Sequence, residues 1–127
     1  MIVLDANVLI AHFDPADKHH ERAGRLLLSA TGDSLGASAI TLAEVLVGPA
    51  RVGALDRARN ALLQLQIIGV PVDDTASVRL AQIRAETNLK LPDCCVLLAA
   101  EQAGATLATF DERLASTARS RGLLVTD

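Results

Sequence analysis

The feature that most constrains this chain is a repeated switch in hydrophobic period. Short runs of four or five residues, "IVLD" (2–5), "LGAS" (35–38), "IIGVP" (67–71), "TLATF" (106–110) and "LLVT" (123–126), alternate with longer segments whose apolar residues recur every three or four positions. A short, nearly continuous apolar run suits a strand buried on both faces, and spacing of three and four suits one face of a helix. Strands that alternate with helices pair in parallel, because parallel neighbours need a crossover and a helix is the usual one. The pattern therefore predicts an α/β fold with a mainly parallel sheet built from five strands.

The helices have readable ends. The first is predicted from about Asp14 as N-cap, with Pro15 at its first position, an apolar face of Ala23, Leu26, Leu27 and Ala30, and Gly32-Asp33 to end it. "TLAEVL" begins the next at Thr41, and Gly48-Pro49 stops it. A third starts at Arg51 and carries Val52, Leu55, Ala58, Leu62 and Leu65. Asp74 is placed to cap a fourth, with Ala76, Leu80, Ile83 and Thr87 on one face. Pro92 opens a fifth that Gly104 closes, and the last ends at Gly122.

With 127 residues and neither repeat nor linker, residues 1–127 read as one domain. Phe13 and Phe110 are the only aromatics, so the core is aliphatic and offers no platform for stacking bases. A net charge of −3 excludes a molecule built as a whole for polyanions, and the Arg119–Arg121 pair reads as a solvated helix face. Cys94 and Cys95 are adjacent and have no other cysteine to pair with, which points to reduced thiols and a cytoplasmic protein. The first apolar run lacks a basic leader and contains Asp5, so a signal peptide is not expected. Nor is any apolar stretch long enough to cross a bilayer.

Four acidic residues fall where a parallel sheet gathers its sites, at the carboxyl ends of strands. Asp5 ends the first strand, Glu44 lies one turn into the helix after the second, Asp93 starts the helix before the fourth, and Asp111 follows that strand. Each has a structural reading. Asp5 suits a helix cap or an Asx-turn, Asp111 suits a helix cap, Thr41-x-x-Glu44 spells a capping box, and Asp93 suits the first turn of a helix. Gathered at one edge, however, four carboxylates raise one another's pKa unless a cation neutralises them, and Mg²⁺ or Mn²⁺ is the fitting partner for oxygen ligands. His12, His19 and His20 lie apart from these positions and read as surface or packing residues. Asp14, Asp17, Asp73 and Asp74 read as caps or solvated groups.

The segments "IVLDANVLIA", "SAITLAEVL" and "LPDCCVLLAAEQAGATLATFDERL" together resemble the PIN-domain nucleases, most closely the VapC-type toxins of bacterial toxin–antitoxin pairs. The resemblance implies that Asp5, Glu44, Asp93 and Asp111 form a metal-binding catalytic cluster and that Asn7, Thr41 and Thr109 support it by hydrogen bonds. It further implies a three-layer fold with a mainly parallel five-stranded sheet flanked by helices, one or two Mg²⁺ or Mn²⁺ ions, hydrolysis of RNA phosphodiester bonds, a VapB-type antitoxin as partner and a homodimer. A non-catalytic PIN-like module that binds RNA or protein is the alternative, against which the intact acidic set argues. Other acidic α/β families fit less well. A haloacid-dehalogenase-like phosphatase needs D-x-D where position 7 is Asn, a receiver domain needs a late-strand Lys, and a dinucleotide fold needs G-x-G-x-x-G.

Overall fold

The computed structural model describes residues 1–127. Along the chain come β1 (Ile2–Leu4), α1 (Ala6–Phe13), α2 (His20–Ser29), β2 (Leu35–Ser38), α3 (Ala39–Arg51) and α4 (Leu55–Gln64). Then follow β3 (Ile68–Val70), α5 (Ala76–Thr87), α6 (Leu91–Ala103), β4 (Thr106–Ala108), α7 (Glu112–Ser120) and β5 (Val125–Thr126). The five strands lie in the order β3-β2-β1-β4-β5, and every pairing is parallel. The expected α/β architecture is present, with a sheet that is wholly rather than mainly parallel.

Successive residues of a strand face opposite sides, and the two cores follow that alternation. Val3 and Leu107 join α5, α6 and α7 in one buried cluster; Leu4 and Ala108 join α1 to α4 in the other. α6 is buried at Cys94 and continuously from Val96 to Ala100. Its apolar residues consequently surround the helix instead of forming a stripe. Truncating a fully buried leucine such as Leu97 to alanine would cost about 2–5 kcal/mol.

Several boundaries differ from the sequence reading. α1 was not anticipated: residues 6–13 continue the apolar run of β1, and periodicity alone does not separate two short buried elements. Asp14 is the C-cap of α1 rather than the N-cap of the next helix, its N–H donating to Ile10 O, and Pro15 lies in the turn before α2. Pro49 does not stop α3 but sits in its last turn, the carbonyl accepting from Ala54 N at 2.9 Å as the chain leaves. α4 accordingly starts at Leu55, not Arg51. Asp74 does not cap α5: Thr75 is the N-cap, and Asp73 holds Thr75 through Oδ1 at 2.8 and 2.6 Å. Gly104 ends α6 in the left-handed region at φ 58°, as expected of a C-cap glycine. No helix is long and apolar enough to cross a membrane.

Candidate active site at the carboxyl edge of the sheet

From β1 the chain builds β2 and β3 outward on one side, then returns to lay β4 and β5 on the other. In open parallel sheets the crevice at such a reversal, beyond the carboxyl ends of the strands, is the place for ligands. Asp5 follows β1 and Thr109 follows β4 at that reversal, and their side chains meet across it. Thr109 Oγ1 donates to Asp5 Oδ2 at 2.7 Å, while Asp5 Oδ1 accepts from Ala6 N at 2.8 Å and caps α1.

Around this contact a small network holds two loops together. Thr109 Oγ1 accepts from Asp111 N at 3.0 Å and, more loosely, from Asn7 Nδ2 at 3.4 Å. Asn7 Oδ1 accepts from Phe110 N at 3.3 Å, so one amide group spans the strand-to-helix turn after β4. Asp111 caps α7: its Oδ1 accepts from Arg113 N at 2.9 Å and Leu114 N at 3.1 Å. Thr41 stands apart. It is fully buried on α3, where its N–H donates to Ser38 Oγ at 3.2 Å and the two hydroxyls lie 3.1 Å apart.

That last contact overturns the capping-box reading. Ser38, not Thr41, is the N-cap of α3, so Glu44 lies beyond the capping turn and has no cap to complete. Glu44 is exposed. The missed signal was Ser38-x-x-Thr41 directly after "LGA", a serine at the junction of a strand and a helical run.

The electrostatics link the four carboxylates. Burial lifts the Asp5 carboxyl from its ordinary 3.8 to about 6, with the charges of Asp93 and Glu44 adding to it and the hydrogen bonds from Thr109 and Ala6 opposing it. No cation is among the groups that hold Asp5 down. Glu44 is raised by its surroundings and then by Asp93. Asp93 is raised by burial and then by Asp111, against the lowering influence of Lys90 and Arg113. Asp93 is thus the member that feels or acts on each of the others.

The ion pairs of the molecule lie elsewhere, between Arg22 and Asp127 and between Arg121 and the two acids Glu86 and Glu101. An oxygen-only set of acids with uncompensated charge has the donor chemistry of a hard divalent cation. The side chains are not gathered for one as they stand, since no three His, Cys, Asp or Glu groups are placed to hold a metal ion. Glu44 is an exposed side chain outside these ion pairs.

Residues 2–120 match the PIN domain family. The chain belongs to the PIN-domain family. Among solved structures, this PIN domain is similar to FitAcB from Neisseria gonorrhoeae, with 26% identity, a TM-score of 0.77 and coverage of 100% of this chain and 97% of that one. A toxin–antitoxin complex from Klebsiella pneumoniae is similar at 27% identity and TM-score 0.74, covering 100% of this chain and 97% of that one. VapC20 from Mycobacterium tuberculosis, described as a sarcin–ricin loop cleaving toxin, shares the fold at 18% identity and TM-score 0.69, with 92% and 95% of the two chains covered. No curated protein is similar enough in sequence to be matched to the chain.

The histidines and cysteines of this PIN domain make local contacts. His20 Nδ1 lies 2.8 Å from Ala11 O and ties α2 to α1, while His19 and Arg22 pack on the Phe110 ring. His12 lies edge-on to Phe13. Cys94 is buried with Sγ 3.5 Å from Leu89 O, and both cysteines are free.

Proposed function

We propose that this PIN domain is a metal-dependent endoribonuclease, the toxin of a VapBC-type toxin–antitoxin pair. The observation that supports the reading is Asp5 at the strand-order reversal, buried without a cation and raised further by the charges of Asp93 and Glu44. Asp5, Glu44, Asp93 and Asp111 would hold one or two Mg²⁺ or Mn²⁺ ions. Bound there, such an ion would supply Lewis acidity toward the scissile phosphate and lower the pKa of an attacking water.

The chain's own residues set the stage. Thr109 and the Ala6 N–H fix the Asp5 carboxylate at the end of a central strand. Asn7 braces the turn that carries Thr109 and Asp111. Thr41, locked to Ser38, sets the start of the helix from which Glu44 projects. Such fixing of ligands by rigid elements and by hydrogen-bonded neighbours is what a site of this chemistry requires.

The partner half of the reading has its own support. An open, mostly apolar groove of about 490 Å³ runs beside the site, lined by Ile10, Phe13, Val45, Val52 and Ala58, with Glu44 on its wall. An apolar segment of an antitoxin laid in this groove would reach a proposed ligand of the site, which joins binding to inhibition. The similar structure from Klebsiella pneumoniae is a toxin–antitoxin complex. A homodimer belongs to the same reading, and light scattering at tens of micromolar tests it.

The deciding experiment incubates the purified protein with total RNA in Mg²⁺ and in excess EDTA and sequences the new 5′ ends. Discrete cuts that need Mg²⁺ and vanish in Asp5→Asn and Asp93→Asn are expected. Cuts that persist in EDTA overturn the metal mechanism, and RNA binding without any cut favours the non-catalytic module.

A further inference from the structure

The whole molecule carries a net charge of −3, and the proposed site adds its own acids. A polyanionic backbone approaching that edge meets repulsion unless something positive receives it. We propose that Lys90 and Arg113 form a phosphate-binding rim on the Asp93 side of the site, holding a backbone phosphate of the RNA beside the one that is cleaved. This rests on the endoribonuclease reading above.

Both cations stand where helix physics disfavours them. Lys90 is the N-cap of α6, with no side-chain cap bond. An N-cap favours an acceptor such as Ser, Thr, Asp or Asn, which an ammonium group is not. Arg113 is the second residue of α7, in the turn where the helix dipole favours acids. Two breaches of a local rule at one place, beside the acids of the proposed site, point to function.

The geometry brings the two together. Arg113 Nη2 donates to Asn88 O at 3.4 Å, against the connection between α5 and α6 in which Lys90 lies. That carbonyl is already served by Arg84, whose Nη1 donates to Asn88 O at 3.0 Å and to Leu89 O at 2.7 Å. The Arg113 contact is therefore long and redundant as a structural bond. Neither cation is in an ion pair, and both residues are exposed. The field of both falls on Asp93, three residues after Lys90 on the first turn of α6. An exposed guanidinium and an ammonium beside the acidic set supply the donors that a phosphodiester takes, the fork of Arg and the point charge of Lys.

The test has a cleavage arm and a binding arm. Lys90→Gln and Arg113→Gln are compared with wild type and with Arg119→Gln, which removes the same charge from the opposite end of α7. In Mg²⁺, each rim variant is expected to raise KM for a short single-stranded RNA roughly fivefold, the upper value for an exposed ion pair, with kcat held within about twofold. In EDTA, where nothing is cut, a fluorescein-labelled RNA is titrated at several salt concentrations. Each rim variant should reduce the slope of log affinity against log salt by about 0.7, the value for one contact to a single strand. Arg113→Lys should restore the slope, and Arg119→Gln should leave it unchanged.

Rim variants that match Arg119→Gln in KM and in slope overturn the rim even if the wild type cuts RNA. A wild type that binds in EDTA but never cuts would refute the nuclease reading alone, because the slopes still decide the rim. Failure to bind RNA at all would refute both.

Discussion

Asp5→Asn isolates the energetic cost of the site, and its sign can be worked out beforehand. In the fold, burial and the neighbouring acids lift the Asp5 carboxyl from 3.8 to about 6. The fold therefore prefers Asp5 protonated. Below pH 3.8 the group is neutral in both folded and unfolded chains and costs nothing. Between pH 3.8 and about 6 the unfolded chain ionises first, so stability is lost as pH rises. Above pH 6 the full penalty stands, roughly 3 kcal/mol at 1.36 kcal/mol per pH unit. This contribution runs opposite to ordinary acid denaturation.

Asparagine removes the charge and with it that penalty. It also weakens the network: its amide has only one acceptor oxygen for the two donors, Ala6 N and Thr109 Oγ1, now shared by the carboxylate. That loss costs about 1 kcal/mol. At pH 7.5 in EDTA the variant should therefore be more stable by about 1–2 kcal/mol, a rise in Tm of several degrees for a chain of this size. At pH 3.5 the advantage should vanish and the lost hydrogen bond should leave the variant slightly less stable. Adding Mg²⁺ should raise the Tm of the wild type but move the variant much less, because only the folded wild type offers the full ligand set. Thermal melts followed by circular dichroism at both pH values, with and without Mg²⁺, read all three outcomes. A variant less stable than wild type at pH 7.5 in EDTA would refute the reasoning and leave Asp5 as a helix cap.

Three other outcomes follow from particular contacts. Glu44→Gln should melt with the wild type in EDTA, since Glu44 is exposed and completes no cap, yet lose most Mg²⁺-dependent cleavage in a gel assay. Ser38→Ala should cost about 1–2 kcal/mol in urea unfolding, because it strips both the Thr41 N–H and the buried Thr41 hydroxyl of their partner. Ala58→Glu, on the groove wall, should leave cleavage unchanged but abolish inhibition by a co-expressed antitoxin, measured as loss of growth rescue.

How much of this was legible in the sequence depends on where local and non-local forces agree. All five strands and the sheet's parallel sense were legible from short, mostly apolar runs alternating with helical segments, even though the edge strands β3 and β5 are largely exposed or half-buried. α1 was not legible: its start lies inside such a run, and only the Asp5 cap marks the change. Pro49 misled because its missing N–H and fixed φ are tolerated in the last turn of α3, where the helix has little left to lose. The candidate positions at Asp5, Glu44, Asp93 and Asp111 were legible as acids at strand and helix ends. Their upward pull on one another followed from that placement, but the Thr109–Asp5 hydrogen bond did not, because it comes from a strand order that puts β4 beside β1 across about a hundred residues of chain.

The structural and chemical roles of these acids need not compete, because a carboxylate has two oxygens. Asp111 directs Oδ1 at the two N–H groups that open α7, which fixes the plane of the carboxylate and leaves Oδ2 for another partner. Asp5 turns Oδ1 to Ala6 N and Oδ2 to Thr109, so its second oxygen has one lone pair occupied and one remaining. A helix cap is then the device that aims a ligand, and the cap explains why the residue is acidic without explaining why it is buried. A serine or asparagine would cap α1 about equally well without the cost of a buried charge. The retained charge is the part of Asp5 that capping does not require. Under the proposed function, a cation bound near Asp5, whose carboxyl Asp93 and Glu44 raise, would be the counterweight to that charge.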